Sequence, residues 1–300
     1  QCSITHLLPL LYRGKRLAVI GDEEQLRAIN IINKSEENLL AKKYDVEEWI
    51  ADYGHYSEKF GPNKKDVYTV GVKSLPVGLA DVVYLREHYR SHPQIIGFSN
   101  HRIYRNRLEL KRPIDSFSEN DGVHAIQVSG FAEKGPRQKS WVNKAEAEKI
   151  VEFIASEPRI LSGEQSVGVV TPFKPQSLLI EQMLEERCPE QKVLVGSAYT
   201  FQGDERDILL FSPVVAKGIT DNASRFVGEE TNLVNVAITR AKDSLYVVGD
   251  FTMLSKRQDI LGDLAKYAQV IETLRDQNRS DYSPCELYMF TLMCAEGWQP

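Results

Sequence analysis

This chain of 300 residues has no long apolar run, only four cysteines and no strong excess of either charge. No uninterrupted apolar run is long enough to cross a bilayer, so we expect no membrane contact. The four cysteines, at positions 2, 188, 285 and 294, lack metal-ligand spacing, which favours reduced thiols in a cytoplasmic protein. A net charge of −5 argues against a protein that holds nucleic acid by overall positive charge.

A phosphate-binding loop of the form GxxxxGK[ST] is also missing. The nearest approach is GFAEKGPRQKS, residues 130–140, in which Gln138 stands where the last glycine must be. Glycine is needed there because any side chain would keep the backbone away from the phosphates. The sequence therefore excludes a complete phosphate-binding loop within this chain.

Positive charge is concentrated in one segment. Between Arg86 and Arg112 there are seven lysines and arginines against two glutamates, a local excess of five. Such a run suits contact with a phosphate backbone or a nucleotide, but it is equally typical of a solvated helix face. The residue pattern leaves both interpretations open.

Short apolar segments alternate with helical patterns along most of the chain. Several of these segments are unbroken apolar runs, as expected for strands that are covered on both faces. The helical patterns include one around Glu36 to Ile50, and another that starts with Asn143 and Glu146 in the form of a capping box. This alternation predicts an open, mostly parallel α/β sheet. The candidate strands are Leu17–Ile20, Val82–Leu85, Val123–Val128, Val167–Val170, Val193–Val195, Ile208–Phe211 and Leu245–Val248.

Ligands of such sheets sit beyond the carboxyl ends of the strands. Three groups of polar or glycine residues directly follow predicted strands: Gly21-Asp22, Thr171 and Gly249-Asp250. We therefore expect these residues to lie at a ligand-binding edge.

Six short motifs carry a family resemblance. In this order and with these gaps, they resemble the motifs of superfamily 1 helicases, the group that includes the nonsense-mediated-decay RNA helicase and bacterial AAA-type DNA helicases. The resemblance covers residues 1 to about 274 and implies a RecA-like fold of the P-loop NTPase type. The motifs are GDEEQL (Gly21–Leu26), HYRSHP (His88–Pro93), VTPFKPQ (Val170–Gln176), TFQGDERD (Thr200–Asp207), NVAITRAK (Asn235–Lys242) and VVGD (Val247–Asp250).

The resemblance also implies a domain organisation. Residues 1–85 would be the remnant of a first RecA-like domain, residues 86–275 a complete second one, and residues 276–300 a linker and the start of a nuclease-like domain. ATP would bind between the two RecA-like domains, with the Mg²⁺ ligands in an N-terminal part of the protein that this chain lacks. Because the phosphate-binding loop is absent, we expect the chain alone not to hydrolyse ATP.

Two arginines are the expected catalytic groups. By resemblance, Arg90 and Arg240 are arginine fingers, which deliver positive charge to the γ-phosphate during phosphoryl transfer. The alternative is that each forms a structural ion pair with a nearby carboxylate. Tyr89, beside Arg90, is expected to stack on the adenine.

Other residues complete the expected nucleotide site. Gln25 is expected to sense the γ-phosphate and orient the attacking water, although Arg27-Ala28 replaces the proline that relatives carry after this motif. Gly21 and Asp22 belong to the same predicted site. Gly203 would allow close backbone approach, and Glu205 would accept hydrogen bonds from the ribose hydroxyls.

The remaining motif residues are expected to contact single-stranded nucleic acid, DNA rather than RNA. Thr171 and Thr200 would donate to backbone phosphates. Gln202 would couple the bound nucleic acid to the nucleotide. Tyr199 stands where relatives often carry histidine. His92 is expected to be structural rather than a metal ligand. Two phenylalanines, favoured as core residues, can alternatively stack on bases: Phe173 and Phe201.

Two other functions compete with a helicase or translocase. One is an ATP-driven switch that controls an attached nuclease. The other is a nucleic-acid-binding module that keeps the fold without turnover. The presence of Gln25, Arg90 and Arg240 argues against the second, because a retired ATPase is expected to have lost some of them.

Overall fold

A computed structural model describes residues 9–10, 12–15, 18–26, 33–55, 83–113, 116, 118, 120–135, 140–201 and 203–277. The chain divides into two compact units, residues 1–85 and residues 86–300. Among the described residues, none of the helices combines the length and the apolarity that a membrane crossing needs.

The described residues of the first unit include the helices α1 (Lys34–Tyr44) and α2 (Glu47–Tyr53). Asn33 caps α1 in a capping box, because its side chain accepts from the backbone of Glu36 while the Glu36 carboxylate accepts from the backbone of Asn33. The single helix predicted over Glu36–Ile50 is wrong. It is divided at Asp45, whose left-handed backbone, with φ of 56°, ends α1.

The strand predicted over Leu17–Ile20 is also wrong in its described part. Ala18–Ile20 belongs to no strand, and Ile20 is 92% exposed. An apolar run becomes a strand only where a neighbouring strand completes its hydrogen bonds, and the described residues of this unit provide no such neighbour.

The second unit holds the sheet and most of the helices. Its strands are β1 (Glu87–His88), β2 (Glu109–Leu110), β3 (Gly122–Gln127), β4 (Ala132–Lys134), β5 (Trp141–Asn143), β6 (Val167–Val170), β7 (Val193–Gly196), β8 (Arg206–Phe211) and β9 (Ala241–Gly249). Its helices are α3 (Pro93–Arg102), α4 (Lys144–Ser156), α5 (Pro158–Leu161), α6 (Lys174–Arg187), α7 (Asp221–Glu229), α8 (Thr231–Thr239), α9 (Phe251–Leu254) and α10 (Ile260–Gln277).

Five strands form one sheet in the order β3-β9-β8-β6-β7, and every neighbouring pair is parallel. The predicted open, parallel α/β fold is confirmed. All the carboxyl ends of the strands lie at one edge of this sheet and all the amino ends at the other, which we call the carboxyl edge and the amino edge. A six-residue strand such as β8 spans roughly 17 Å between its ends.

Helices cover both faces of the sheet. On one face, α4 and α6 pack their apolar residues against alternate strand residues such as Val169, Ile208 and Leu210. Leu209 and Phe211 point to the opposite face and are also fully buried. Helices α3, α8 and α10 contact strands of the sheet and one another. Burial on both faces explains why these strands are continuous apolar runs.

The strand predicted at Val82–Leu85 is wrong in its described part. Val83 and Leu85 are largely exposed, and the strand begins two residues after Leu85 as β1. β1 pairs with β2 outside the main sheet, in a two-stranded parallel ladder. The apolar residues predicted a strand near this position. Pairing starts only at Glu87, where β2 provides the hydrogen-bond partners.

The connection from β7 to β8 crosses over β6 and depends on Gly168. A Cβ atom on Gly168 would lie 2.6 Å from Cε1 of Phe201 and 2.9 Å from Cγ of Arg206. Phe201 is fully buried and occupies the space that a side chain at Gly168 would need. Glycine at this position therefore lets the crossover pack directly on the strand.

We predict that Gly168→Ala destabilises the fold by about 1 to 3 kcal/mol, because the added methyl group displaces Phe201 in a close-packed region. Urea unfolding at equilibrium measures this change. Gly97→Ala is the matched control, since Gly97 is buried in α3 but an added Cβ meets nothing within 4 Å. That variant is expected to gain about 1 kcal/mol from helix propensity. Equal effects of the two substitutions would contradict the packing argument.

Candidate nucleotide and nucleic-acid site

Arg90, Glu205 and Arg240 lie together at the amino edge of the sheet. Nε of Arg90 is 2.8 Å from a carboxylate oxygen of Glu205. Arg240 follows α8 and directly precedes β9, and its carbonyl accepts from the backbone N–H of Arg206 at 3.0 Å. Three segments that are distant in the sequence thus bring two guanidinium groups and one carboxylate to one place.

The position of this cluster differs from the expectation that ligand-binding residues gather at the carboxyl ends of strands. Thr171 and Asp250 do follow the carboxyl ends of β6 and β9. Arg240 lies at the opposite edge because a helix that connects parallel strands runs back to the start of the next strand. Glu205 lies there because the connection from β7 returns to the start of β8, although its described residues form turns and not a helix.

The positive charge of Arg90 acts on Arg240. Burial is the largest cause that lowers the pKa of Arg240, followed by the positive charge of Arg90, while Glu205 opposes both effects. Burial and then the charges of Arg90 and Arg112 lower the pKa of His88 to about 4. His88 is therefore neutral near pH 7, and its Nε2 accepts from the backbone N–H of Ser91 at 2.9 Å.

Tyr89 and Gly203 have the surface properties that a nucleotide requires. Tyr89 is 62% exposed, and its hydroxyl donates to Glu87. Gly203 adopts a φ of +83° with open space around it, so its backbone conformation, and not packing, calls for glycine. A flat aromatic face and an open backbone turn thus come from the same two motifs as Arg90 and Glu205.

His92 has a structural role. Its Nδ1 accepts from the backbone N–H of Gln94 at 3.1 Å and so caps α3. Burial, followed by the charges of nearby arginines and of His124, lowers the pKa of His92 to about 3, so it remains the neutral acceptor that the cap needs. Within the described ranges, no group of three or more His, Cys, Asp or Glu side chains is placed to hold a metal ion.

The predicted strand-binding residues differ in accessibility at the carboxyl edge. Thr200 is exposed, and Tyr199 is 40% exposed. Thr171 is fully buried, with its hydroxyl accepting from the backbone N–H of Phe173 at 3.5 Å. In this conformation the Thr171 hydroxyl is not accessible to a phosphate. Gln202 lies outside the described residues.

The two phenylalanines of these motifs, Phe173 and Phe201, are buried core residues. The ring of Phe173 lies 6.3 Å from that of Phe226, which is 45% exposed. Base stacking by either motif phenylalanine would therefore require a rearrangement of the core.

Within the first unit, Gln25 and Asp22 form a local turn. The Gln25 amide donates to the carboxylate of Asp22 at 3.1 Å, and the backbone N–H of Glu24 donates to the same carboxylate at 3.0 Å. Gly21 precedes this turn and is exposed. The turn holds the side chain of Gln25 beside Asp22.

A protein-family model described as an AAA domain matches residues 73–252, which is more than half of the chain. The chain belongs to the AAA domain family. Several of its sequence relatives are helicases by name, and the resemblance to superfamily 1 helicases is confirmed.

Three relatives illustrate the similarity. "Probable helicase senataxin" of Mus musculus is 26% identical over 94% of this chain and 10% of its own length. "Uncharacterized ATP-dependent helicase MJ0104" of Methanocaldococcus jannaschii is 24% identical over 89% of this chain and 36% of its own length. "Regulator of nonsense transcripts 1" of Dictyostelium discoideum is 23% identical over 83% of this chain and 18% of its own length. The chain thus spans between about a tenth and about a third of the length of these relatives.

A buried polar network at the carboxyl edge of this AAA domain was missed by sequence reasoning. The fully buried carboxylate of Glu146 accepts from the hydroxyl of Ser212 at 2.6 Å, the backbone of Val214 at 3.0 Å and the amide of Asn143 at 2.9 Å. Gln176 joins the network, because its amide donates to Ser212 and to the carbonyl of Asn143. The network connects the starts of α4 and α6 with the loop after β8.

The available sequence signal was the capping pattern at Asn143 and Glu146, which explained Glu146 as a helix-cap residue. Asn143 does cap α4. The Glu146 carboxylate, however, turns inward to Ser212 and Val214. Val214 has a φ of +63°, a strained conformation for a β-branched residue, and its N–H is held by Glu146.

Burial raises the pKa of Glu146 to about 7, against the opposing effect of its hydrogen bonds. A raised folded-state pKa means that the folded protein binds a proton more tightly than the unfolded chain. The contribution of Glu146 to stability is therefore largest below pH 4.5 and falls as the pH rises towards 7.

We predict that Glu146→Gln removes this pH dependence. Relative to the parent, the variant should gain about 3 kcal/mol of unfolding free energy between pH 4.5 and pH 8. Urea unfolding at a series of pH values measures the difference. Glu148→Gln, at an exposed position of the same helix, is the control and should leave the profile of the parent unchanged. A constant difference between Glu146→Gln and the parent at all pH values would contradict the assignment.

Proposed function

We propose that the chain is part of an ATP-dependent superfamily 1 helicase or translocase. In this role it supplies two arginine fingers and the strand-binding edge of the second motor domain. The observation that carries the proposal is the convergence of Arg90, Arg240 and Glu205 at the amino edge. A structural ion pair explains the contact of Arg90 with Glu205 alone, but it does not explain why a second, buried arginine is placed within reach of the first.

The residues at this cluster fit an anionic nucleotide. Two adjacent positive charges form a binding place for a polyphosphate, and arginine suits it because its charge is permanent and its donors are fixed in a plane. Tyr89 offers an exposed ring for an adenine. Glu205 can accept from ribose hydroxyls once it exchanges its partner Arg90 for a ligand, which frees Arg90 for a phosphate.

ATP supplies a γ-phosphoryl group whose transfer to water releases free energy. Within this chain, Arg90 and Arg240 stabilise the charge that develops on that group, and Gln25 orients the water. The chain contains no phosphate-binding loop. We assign that loop and the Mg²⁺ ligands to a first RecA-like domain of the same protein, to which residues 1–85, with Gly21 and Asp22, would belong.

Nucleic acid would bind at the carboxyl edge, about one strand length away from the nucleotide. Thr200 and Tyr199 are exposed there and are the proposed contacts, together with Gln202. Thr171 can contribute only after its loop opens, since its hydroxyl is buried. A single strand is the proposed partner, with DNA favoured over RNA.

We predict that Arg240→Ala in the full-length protein lowers ATP turnover at least roughly a hundredfold, because the finger acts mainly in the transition state. Nucleotide affinity, measured by titration with a fluorescent ATP analogue, should change much less. Arg187→Gln, at an exposed arginine at the end of α6, is the charge-matched control and should leave turnover unchanged. An equal loss of binding and turnover would make Arg240 a structural residue.

The rival function, a switch that controls a nuclease, predicts the same ATPase phenotype. A strand-displacement assay with tailed duplexes separates the two, because only a translocating motor separates strands with a polarity set by the tail. Full ATPase activity without strand displacement would favour the switch.

Accessibility at the carboxyl edge predicts a difference between the two threonines. Thr200→Val should weaken single-strand binding roughly fivefold, the effect of one lost hydrogen bond of about 1 kcal/mol. Thr171→Val should leave binding unchanged if its hydroxyl stays buried. Fluorescence anisotropy with labelled DNA and RNA strands, at one fixed salt concentration, measures the affinity of both variants and compares DNA with RNA binding. A larger effect at Thr171 than at Thr200 would show that the strand-bound form differs from this structure.

A further inference from the structure

Arg112 joins the two segments that carry the proposed arginine fingers. Its Nη1 donates to the backbone carbonyl of Arg90 and, at 3.3 Å, to that of Lys242. Its Nη2 donates to the carboxylate of Asp243 at 2.6 Å. Arg112 is the last residue of the basic run noted in the sequence, and its donors face protein atoms on both finger segments.

The parallel ladder of β1 and β2 explains how Arg112 reaches this place. The ladder pairs His88 with Leu110, and the N–H of Lys111 donates to the carbonyl of His88 at 2.9 Å. Arg90 and Arg112 each follow the paired positions by two residues. The ladder therefore carries Arg112 alongside Arg90 as both chains leave the strands.

The segment that carries Arg90 needs an anchor of this kind. Arg90 and Arg240 carry like charges, and the charge of Arg90 disfavours the charged form of Arg240. The ion pair of Arg90 with Glu205 offsets this unfavourable charge only weakly. Its side chains are 37% and 33% exposed, and ion pairs at such sites contribute little to stability. A second anchor acts on the backbone, where the N–H of His92 donates to the carbonyl of Lys242 at 2.6 Å.

We propose that Arg112 is a positioning residue for Arg90, fixing the backbone of Arg90 to the start of β9 next to Arg240. The inference rests on the proposed function. Arginine suits the task because its fork serves two carbonyl groups and one carboxylate at once, whereas a lysine presents a single charged point. Asp243 completes the anchor, and its side chain is only 15% exposed.

A double-mutant cycle in the full-length protein tests this role. Arg112→Gln and Arg112→Lys should each lower kcat for ATP about tenfold or more, while KM changes by less than about threefold. The reason is that a displaced Arg90 loses interactions that it makes mainly in the transition state. In an Arg90→Ala background, Arg112→Gln should cause no further loss, since its effect acts through Arg90. Arg187→Gln again serves as the control.

Hydrogen exchange provides a readout that does not require turnover. In full-length Arg112→Gln, the amide of His92 and the peptides that cover residues 88–92 should exchange faster than in the parent. Peptides from β6 and β8 should be unchanged, which separates local release from general destabilisation.

Two results would overturn the inference. One is unchanged exchange at His92 in Arg112→Gln. The other is an equal fall in kcat caused by Arg112→Gln with and without Arg90, which would indicate a general structural role. If the parent protein itself lacks ATPase activity, the proposed function fails, but the exchange experiment still decides whether Arg112 anchors this segment.

Discussion

Two like charges held side by side are the constraint on which the rest of this arrangement depends. Arg90 lies close enough to Arg240 for its charge to lower the pKa of Arg240. Folding tolerates this because Glu205 offsets part of the charge and because backbone hydrogen bonds fix the segment that carries Arg90. The unfavourable charge density that remains is what a triphosphate at the proposed site would relieve.

The parallel sheet determines which residues can share a site. Residues that follow strands gather at the carboxyl edge, while residues that directly precede strands gather at the amino edge. The first group includes the proposed strand contacts Tyr199 and Thr200, and the second includes Arg240 and Glu205. The proposed nucleotide and nucleic-acid sites therefore lie at different edges of one sheet and need not compete for one surface.

Sequence reasoning succeeded where local pattern and burial agree. The apolar runs of β6, β8 and β9 predicted the parallel sheet, because strands covered on both faces show no alternation. It failed where the outcome depends on distant partners. The run at Leu17–Ile20 looked like a strand, although in the described part no neighbour pairs with it. Glu146 was assigned to a helix cap, because nothing in the local pattern shows that Ser212 and Val214 would lie beside it. Which edge holds Arg240, and whether Thr171 is accessible, likewise follow from the three-dimensional path of the chain.

The crossover between β7 and β8 has a mechanical consequence. It leaves the carboxyl edge at Ser197 and reaches the amino edge at Glu205, so a few residues span the full height of the sheet. Phe201 packs against Gly168 on the way, which holds the middle of the connection against β6. Under the proposed function, a displacement of Thr200 by bound nucleic acid would reach Glu205 through this connection and alter the counter-charge beside Arg90.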